Sequence, residues 1–255
     1  MTPRFSVVAG VLGALAMLAA PSAGTAEEAS RFALELEVGP VWQSRNDVQI
    51  PNDAEGTRFS LVDLAGNGPW PAGRFYFTWN INDRHGLRAL AAPLSYTETG
   101  TLEGPVDFAG ASYLPGIPTE ATYQFDSWRL TYRYRFHNGD RWTWWVGATA
   151  KIRDAKIQLV QGDVTSRDTD LGFVPLLHLA ADWRLAERWH LLLDLDALAG
   201  GPGRAEDFAA KLAYDLSDRW SITAGYRTVE GGADTDDVYS FGWFHYAVVS
   251  GIYQF

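Results

Sequence analysis

The sequence has 255 residues, including 11 Trp, 11 Tyr and 13 Phe, yet only 47% of it is hydrophobic. Its formal net charge of −10 argues against a nucleic acid as partner. No segment after the first 26 residues is apolar enough for a membrane-spanning helix. The absence of cysteine is consistent with export to an oxidising compartment.

The N-terminal segment has the features of a secretory signal peptide. Arg4 precedes a largely apolar run over residues 5–20, and the small residues Gly24, Thr25 and Ala26 follow it. A run of this length next to small residues is typical of a cleaved signal. We predict cleavage after Ala26, which removes the one positive charge of Arg4 from the total of −10 and leaves residues 27–255 as a single domain with a net charge of −11.

A short pattern then occurs four times, at residues 79–85, 134–142, 183–189 and 214–220. In each copy an aromatic residue and an apolar residue precede a brief polar stretch, and an acidic residue, an Arg and then a Trp or His follow. Apolar residues two apart on both sides of a polar turn predict a β-hairpin. Aromatic strand ends beneath charged turns suit a girdle at a membrane surface. The sequence therefore predicts an all-β fold, a transmembrane up-and-down antiparallel β-barrel.

Anchoring strands on these four turns gives ten of them. They cover residues 32–43, 71–81, 86–97, 121–136, 141–154, 169–184, 188–199, 205–216, 219–230 and 238–255. The connections opposite the four turns are then the longer ones, as in bacterial barrels. Two loop segments, residues 57–63 and 106–113, also alternate, and a barrel of twelve strands would result if both entered the wall.

Alternation assigns one set of side chains to lipid and the other to the lumen. The inward set is rich in charge of both signs: Glu35, Glu37, Arg74, Arg88, Arg129, Lys151, His178, Asp182, Asp194, Asp196, Asp207, Lys211 and Arg227. Placing the aromatics that flank each turn opposite one another fixes the register to within about two residues. The expected inward pairs are His178 with Asp194, Asp182 with His190, and Asp207 with Arg227. Ten strands should leave a nearly plugged lumen.

The C-terminus alternates and finishes on Phe255, with Tyr253 two residues before it. This ending resembles the assembly signature of Gram-negative outer-membrane proteins. The resemblance implies a place in the bacterial outer membrane and recognition of Phe255 by the barrel-assembly machinery. An even strand number then puts both termini on the periplasmic side.

Six charged residues are expected near the outer rim of such a barrel: Arg153, Asp154, Arg204, Asp207, Arg227 and Glu230. Arg side chains match the geometry of phosphate, so this rim could bind a phosphate or sugar of lipopolysaccharide. We favour the simpler interpretation, in which the same residues only attach the loops to the wall. No cofactor is expected. Calcium at the extracellular loops is a weaker hypothesis, which rests on the oxygen-rich residues 162–170.

Three functions follow from these patterns. The first is an envelope or surface role, in binding or in structure, for a barrel with a largely closed and charged lumen. The second is an outer-leaflet hydrolase or acyltransferase acting on lipid A or phospholipid, with His178 and Asp194 as candidate catalytic residues. The inward hydroxyls do not fall convincingly beside His178, and the sequence has neither the close His-x-Ser pair of lipid A deacylases nor the Asp/His spacing of omptin-like proteases. The third is a narrow selective channel. We favour the first, which is not enzymatic.

Overall fold

A computed structural model describes residues 31–201 and 203–255. The predicted signal peptide, residues 1–26, lies outside this range. Eleven strands form the wall: β1 Phe32–Gln49, β3 Trp70–Asn80, β4 His85–Ala92, β5 Ser95–Thr101, β8 Pro118–Asn138, β9 Trp142–Gln161, β10 Val164–Arg184, β11 Trp189–Gly200, β12 Gly203–Asp215, β13 Trp220–Asp234 and β14 Tyr239–Gln254.

The wall is a closed antiparallel barrel of ten strands. β4 and β5 both pair with β8 and form one wall strand, interrupted at Pro93 and Leu94. Proline has no N–H to donate to the ladder, and the Leu94 N–H donates instead to the Asp126 carboxylate at 3.1 Å. The barrel closes where β1 pairs with β14, from Ala33 opposite Gln254 to Gln49 opposite Tyr239. The prediction of ten strands is confirmed.

The four repeated patterns form four tight turns at one end of the barrel, which we call the short-turn end. They connect β3 to β4, β8 to β9, β10 to β11 and β12 to β13. Aromatic rings cover the wall beside them, with centroids 4.9 Å apart for Trp142 and Trp183 and 4.7 Å apart for Trp220 and Tyr253. The opposite end, which we call the long-loop end, contains the longer connections.

The long-loop end contains four further elements: β2 Phe59–Ser60, helix α1 Leu61–Ala65, β6 Val106–Phe108 and β7 Ala111–Tyr113. β2 pairs with only two residues of β1, and β6 and β7 form a separate two-stranded sheet. The two alternating loop segments therefore stay out of the wall, and the twelve-stranded alternative is wrong. The prediction that residues 155–168 form a loop is also wrong, because β9 and β10 stay paired up to Gln161 opposite Val164.

The lumen has two layers of different chemistry. On the long-loop side, α1 and the β6–β7 hairpin insert an apolar core, which we call the plug, whose side chains include the fully buried Leu61, Phe108 and Tyr113. Towards the short-turn end the lumen is filled with charged side chains. In the two described ranges no helix is long and apolar enough to span a membrane.

The outer face of the wall is apolar, as alternation predicts. On β8, Trp128, Leu130 and Tyr132 are 42–52% exposed, whereas Arg129 between them is 6% exposed and Thr131 is 2% exposed. A β-strand places successive side chains on opposite faces, so this contrast separates lumen from outer surface directly.

Candidate functional site

The centre of the lumen is a continuous network of buried ion pairs. The Asp207 carboxylate lies 2.7 Å from Arg74 and 2.8 Å from Arg129, and it accepts a further short hydrogen bond from Arg227. Glu37 accepts from Arg227 at 2.9 Å, and each of these five side chains is at most 6% exposed. Because strands from different sides of the barrel contribute, the network ties the walls together.

The His178 imidazole lies beside a different carboxylate from the one expected. Its Nδ1 is 2.8 Å from Asp196, which also accepts from Thr149 at 2.9 Å and from Arg129 at 3.0 Å. Asp194 instead receives two bonds from Arg88, at 2.5 and 2.9 Å. The predicted pairing of His178 with Asp194 is wrong by two residues, since His178 is directly opposite Asp196.

His178, Asp194 and Asp196 offer ligand atoms within 4.8 Å of one another. Arg88 already donates to both Asp194 oxygens and Arg129 to one Asp196 oxygen, while Thr149 donates to the other, so the donor set does not fit a cation. His178 is 1% exposed and its Nε2 has no hydrogen-bond partner in the described chain. A lipid cannot reach this atom, so the geometry gives no support to catalysis by His178.

The other two predicted pairs exist but are diagonal across the strands. His190 Nδ1 lies 2.8 Å from Asp182, although the residue opposite Asp182 is Leu192. Asp207 bonds Arg227, although Asp207 is opposite Val229. The structure therefore confirms the inward face but shifts the register by two residues.

The six expected rim residues do not converge. Asp207 and Arg227 are each 2% exposed and belong to the lumen network, so the expectation of a common rim cluster is wrong for both. Arg204 forms an ion pair with Glu230 on the outside of the wall. Arg153 forms an ion pair with Asp170 on the neighbouring strand.

The acidic residues of the segment proposed for calcium are spread along one hairpin. Asp163 lies in the turn between β9 and β10, while Asp168 and Asp170 lie on β10. Partial burial raises the pKa of the Asp168 carboxyl, and Arg153 neutralises Asp170. These positions do not gather three carboxylates around one point.

A cavity of about 230 Å³ lies in the lumen between the charged network and the short-turn end. Its lining includes Arg88, Arg133, Trp145, Asp194 and Lys211. The network and the plug separate it from the long-loop end. This cavity is a recess rather than a continuous pore.

An arginine cluster lies outside the wall, near the long-loop end. Arg58 stacks 3.6 Å above the Tyr239 ring, and Arg45 donates to the Tyr239 hydroxyl at 2.7 Å. Arg45 and Arg204 lie 5.4 and 5.1 Å from the centroid of Phe241. We call Arg45, Arg58 and Arg204 the arginine cluster.

Next to this cluster, three polar side chains form a chain of hydrogen bonds. His245 Nε2 lies 2.7 Å from Ser44 Oγ, and His245 Nδ1 lies 2.5 Å from the Tyr226 hydroxyl. All three face outwards: Tyr226 is 45% exposed, Ser44 is exposed, and His245 lies between the outward-facing Trp243 and Ala247.

A β-bulge positions Ser44. Gln43 is opposite Phe244 and Arg45 is opposite Trp243, so Ser44 is an extra residue between them. A bulge re-aims side chains locally and is often found beside active sites. Because Gln43 and Asn46 on either side are buried in the lumen, both Ser44 and Arg45 turn outwards.

Comparison with solved structures supports the architecture. The outer-membrane protease OmpT from Escherichia coli matches with a TM-score of 0.56 and 10% identity, over 88% of this chain and 97% of that chain. The chain has the fold of a bacterial outer-membrane β-barrel. At this identity the similarity concerns the fold alone. No protein-family model and no curated protein matches the sequence.

Two weaker similarities involve other outer-membrane proteins. The attachment invasion locus protein Ail of Yersinia pestis, solved with a heparin analogue, has a TM-score of 0.42 at 9% identity over 88% of this chain and 99% of that one. The translocator domain of the autotransporter NalP from Neisseria meningitidis has a TM-score of 0.45 at 12% identity over 90% of both chains. Neither similarity is strong enough to support an argument about this chain.

The depth of Ser44, His245 and Tyr226 in the outer-membrane barrel follows from strand geometry. Near the C-terminal end of β14, Tyr253 faces outwards and lies in the aromatic layer at the short-turn end. With a rise of about 3.4 Å per residue and a tilt of about 40°, His245 lies roughly 21 Å above Tyr253. The apolar band of such barrels is about 25 Å tall. His245 therefore lies just below the upper edge of the band, and Phe241 lies roughly 10 Å higher.

Sequence reasoning missed this site because Ser44 and His245 are 201 residues apart and meet only when the barrel closes. One signal was available. The alternation that turns Tyr253 outwards also turns His245 outwards, and a polar imidazole on a lipid-facing row is unusual enough to require an explanation.

Proposed function

We propose that this protein is an integral outer-membrane barrel that is closed to solutes and binds an anionic lipid of the outer leaflet at the arginine cluster. In this proposal the signal peptide is removed after Ala26, and the long-loop end faces the outside. Both termini then lie in the periplasm.

The stacking of Arg58 on Tyr239, at 3.6 Å, carries the proposal. The ring stacking and a hydrogen bond from Arg58 Nε to Gln49 Oε1, at 3.2 Å, hold the guanidinium in place. Its two terminal nitrogens remain to donate to a phosphate. Within the described ranges no carboxylate lies within ion-pair distance of Arg58, whereas Arg45 and Arg204 have Asp47 and Glu230. Arg58 is therefore the member of the cluster whose charge is not taken up by an ion pair.

The position of the arginine cluster fits a lipid headgroup. Phe241, which Arg45 and Arg204 approach, lies roughly 10 Å above His245 and so just outside the apolar band. Headgroup phosphates occupy this level of a bilayer, and arginine offers them two parallel hydrogen bonds. The phosphate of lipid A and that of a glycerophospholipid share this chemistry.

Retention of lipid by the purified barrel tests the proposal. In native mass spectrometry, we expect the wild type to retain lipid A or phosphatidylglycerol after detergent exchange. The triple variant Arg45→Gln, Arg58→Gln and Arg204→Gln should retain at least tenfold less, because three charge-assisted contacts are lost. A matched variant, Arg141→Gln, Arg188→Gln and Arg219→Gln, removes the same charge at the short-turn end and should behave as the wild type. Equal retention by both variants would refute binding at the cluster.

The closed lumen leads to a second expectation, about conductance. The plug fills the long-loop side of the lumen, so the purified protein in a planar bilayer should show no steady open level. A reproducible single-channel step from folded wild-type protein would contradict closure and favour the selective channel.

A further inference from the structure

We infer that Ser44, His245 and Tyr226 form an ester-hydrolysing site on the outer face of the barrel, which cleaves an acyl ester of an anionic outer-leaflet lipid. The inference rests on the proposed function, because the arginine cluster supplies the headgroup contact. It assigns a nucleophile, a base and a positioning residue.

The geometry is that of an activated serine. A nucleophile needs a base within hydrogen-bond distance and a third group that orients the base. Ser44 Oγ is 2.7 Å from His245 Nε2, and Tyr226 contacts the other ring nitrogen at 2.5 Å. When the imidazole proton is on Nδ1, it donates to the Tyr226 oxygen and leaves Nε2 free to accept from Ser44. The rings of Trp243 and Tyr226 lie 5.3 and 6.1 Å from the imidazole and restrict its rotation.

This chain of bonds is not required by burial. A buried polar group must be paired for the protein to fold, which explains the lumen network. Ser44 and Tyr226 instead lie on the outer face of the wall near the upper edge of the apolar band, within reach of lipid headgroups. The bulge that turns Ser44 towards His245 also interrupts the seam between β1 and β14. A feature that costs pairing and presents a paired Ser and His to lipid is better explained by chemistry than by stability.

The lipid can be placed on the barrel from these positions. Arg45 follows Ser44 in the chain, and the arginine cluster lies above the Ser–His pair. With its phosphate at the cluster, a lipid has its ester groups at the edge of the apolar band, where His245 lies. The acyl chains then run down the apolar outer wall past Val249, which is 54% exposed.

The reaction follows the usual two steps of acyl transfer. Ser44 Oγ attacks the ester carbonyl carbon while its proton passes to His245 Nε2. The carbon–oxygen bond to the lipid alcohol then breaks, and that oxygen takes the proton from Nε2. Water attacks the acyl-serine in the same way, giving its proton to Nε2. The free fatty acid leaves, and Ser44 Oγ recovers the proton.

Fatty-acid release in mixed micelles measures this activity. The wild type is incubated with phosphatidylglycerol in one arm and with lipid A in the other, and products are identified by mass spectrometry. We expect Ser44→Ala and His245→Asn each to lower release by about 10²- to 10⁴-fold. Ser95→Ala, which removes another exposed hydroxyl from the wall, should match the wild type. The arm that yields product identifies the lipid.

Tyr226 acts through His245, so its effect has a distinct signature. Tyr226→Phe keeps the ring and removes the oxygen that orients Nδ1. It should lower kcat and leave KM unchanged, because substrate contacts remain. A raised KM with an unchanged kcat would show that Tyr226 binds lipid rather than positions the base.

A fluorophosphonate, which reacts covalently with activated serines, gives a second measurement on folded wild-type protein. We expect the label on Ser44 in the peptide map and no label there in His245→Asn. Release that persists in Ser44→Ala, or a wild type that neither releases fatty acid nor takes the label, would overturn the inference. Lipid retention is measured separately, so a barrel that binds lipid without cleaving it would refute only the hydrolase.

Discussion

Asp207→Ala is expected to destabilise the barrel by about 3–5 kcal/mol, because it leaves buried arginines without their shared carboxylate. Arg74, Arg129 and Arg227 all contact Asp207 and are 2–6% exposed. In the wild type, attraction to the Asp207 carboxylate offsets the repulsion among these three arginines. The measurement is the free energy of unfolding in detergent, followed by tryptophan fluorescence and by the migration of folded and unfolded forms on a gel.

Two controls separate this effect from a general response to mutation. Asp218→Ala removes an exposed carboxylate at a short turn and should change stability by less than about 0.5 kcal/mol. Replacing Asp207 and Arg227 together by leucine should cost less than Asp207→Ala alone, since it removes one charge of each sign and so leaves the net charge of the network unchanged. If Asp207→Ala is as stable as the wild type, water must enter the lumen and solvate the arginines.

The contrast between lumen and outer face divides the charged residues by role. Asp207 and Arg227, expected at the rim, contribute to the stability of the wall, while Arg204 lies outside in a position to meet lipid. The hydrolase hypothesis likewise moves from His178, which lipid cannot reach, to His245 on the surface. A lipid-directed activity belongs on the face that lipid touches.

Strand number, turns and facing could be predicted from the sequence because they depend on local alternation. The side of the wall on which Arg129 or Lys211 lies is decided within one strand. Register is harder, because a hairpin can shift by two residues and keep every side chain on the same face. For that reason alternation correctly places His178 in the lumen, but the predicted partner, Asp194, lies two residues from the observed one, Asp196.

The plug and the outer site could not be predicted, for different physical reasons. The plug is made by loop residues such as Leu61 and Phe108, whose burial depends on the space inside a closed barrel. The outer site needs the β1–β14 seam and a bulge of one residue at Ser44. The two-residue alternation of a strand sequence carries no information about the plug or the outer site, since both depend on contacts between distant segments.

Phe108→Ala is expected to loosen the plug by about 3–5 kcal/mol while leaving the wall folded. Phe108 is 0% exposed and packs edge-on against Phe59 at 5.7 Å. Its backbone carbonyl accepts a bond from Ser166 at 2.8 Å, which attaches the hairpin to β10. Removal of the ring leaves a cavity between two loops that no wall strand can fill. Limited proteolysis should cut the β6–β7 hairpin faster by several orders of magnitude, with fragments mapped by mass spectrometry.

Leu114→Ala provides the matched control, because Leu114 follows the same hairpin but is 58% exposed. Its cleavage rate should equal that of the wild type. The free energy of unfolding of the wall should be the same in Phe108→Ala as in the wild type, since the charged network of Asp207 and Glu37 lies in the other layer of the lumen. If the wall and the hairpin lose stability together, the two layers form one cooperative unit. The plug would then be part of the barrel's folding core rather than a separate closure of its lumen.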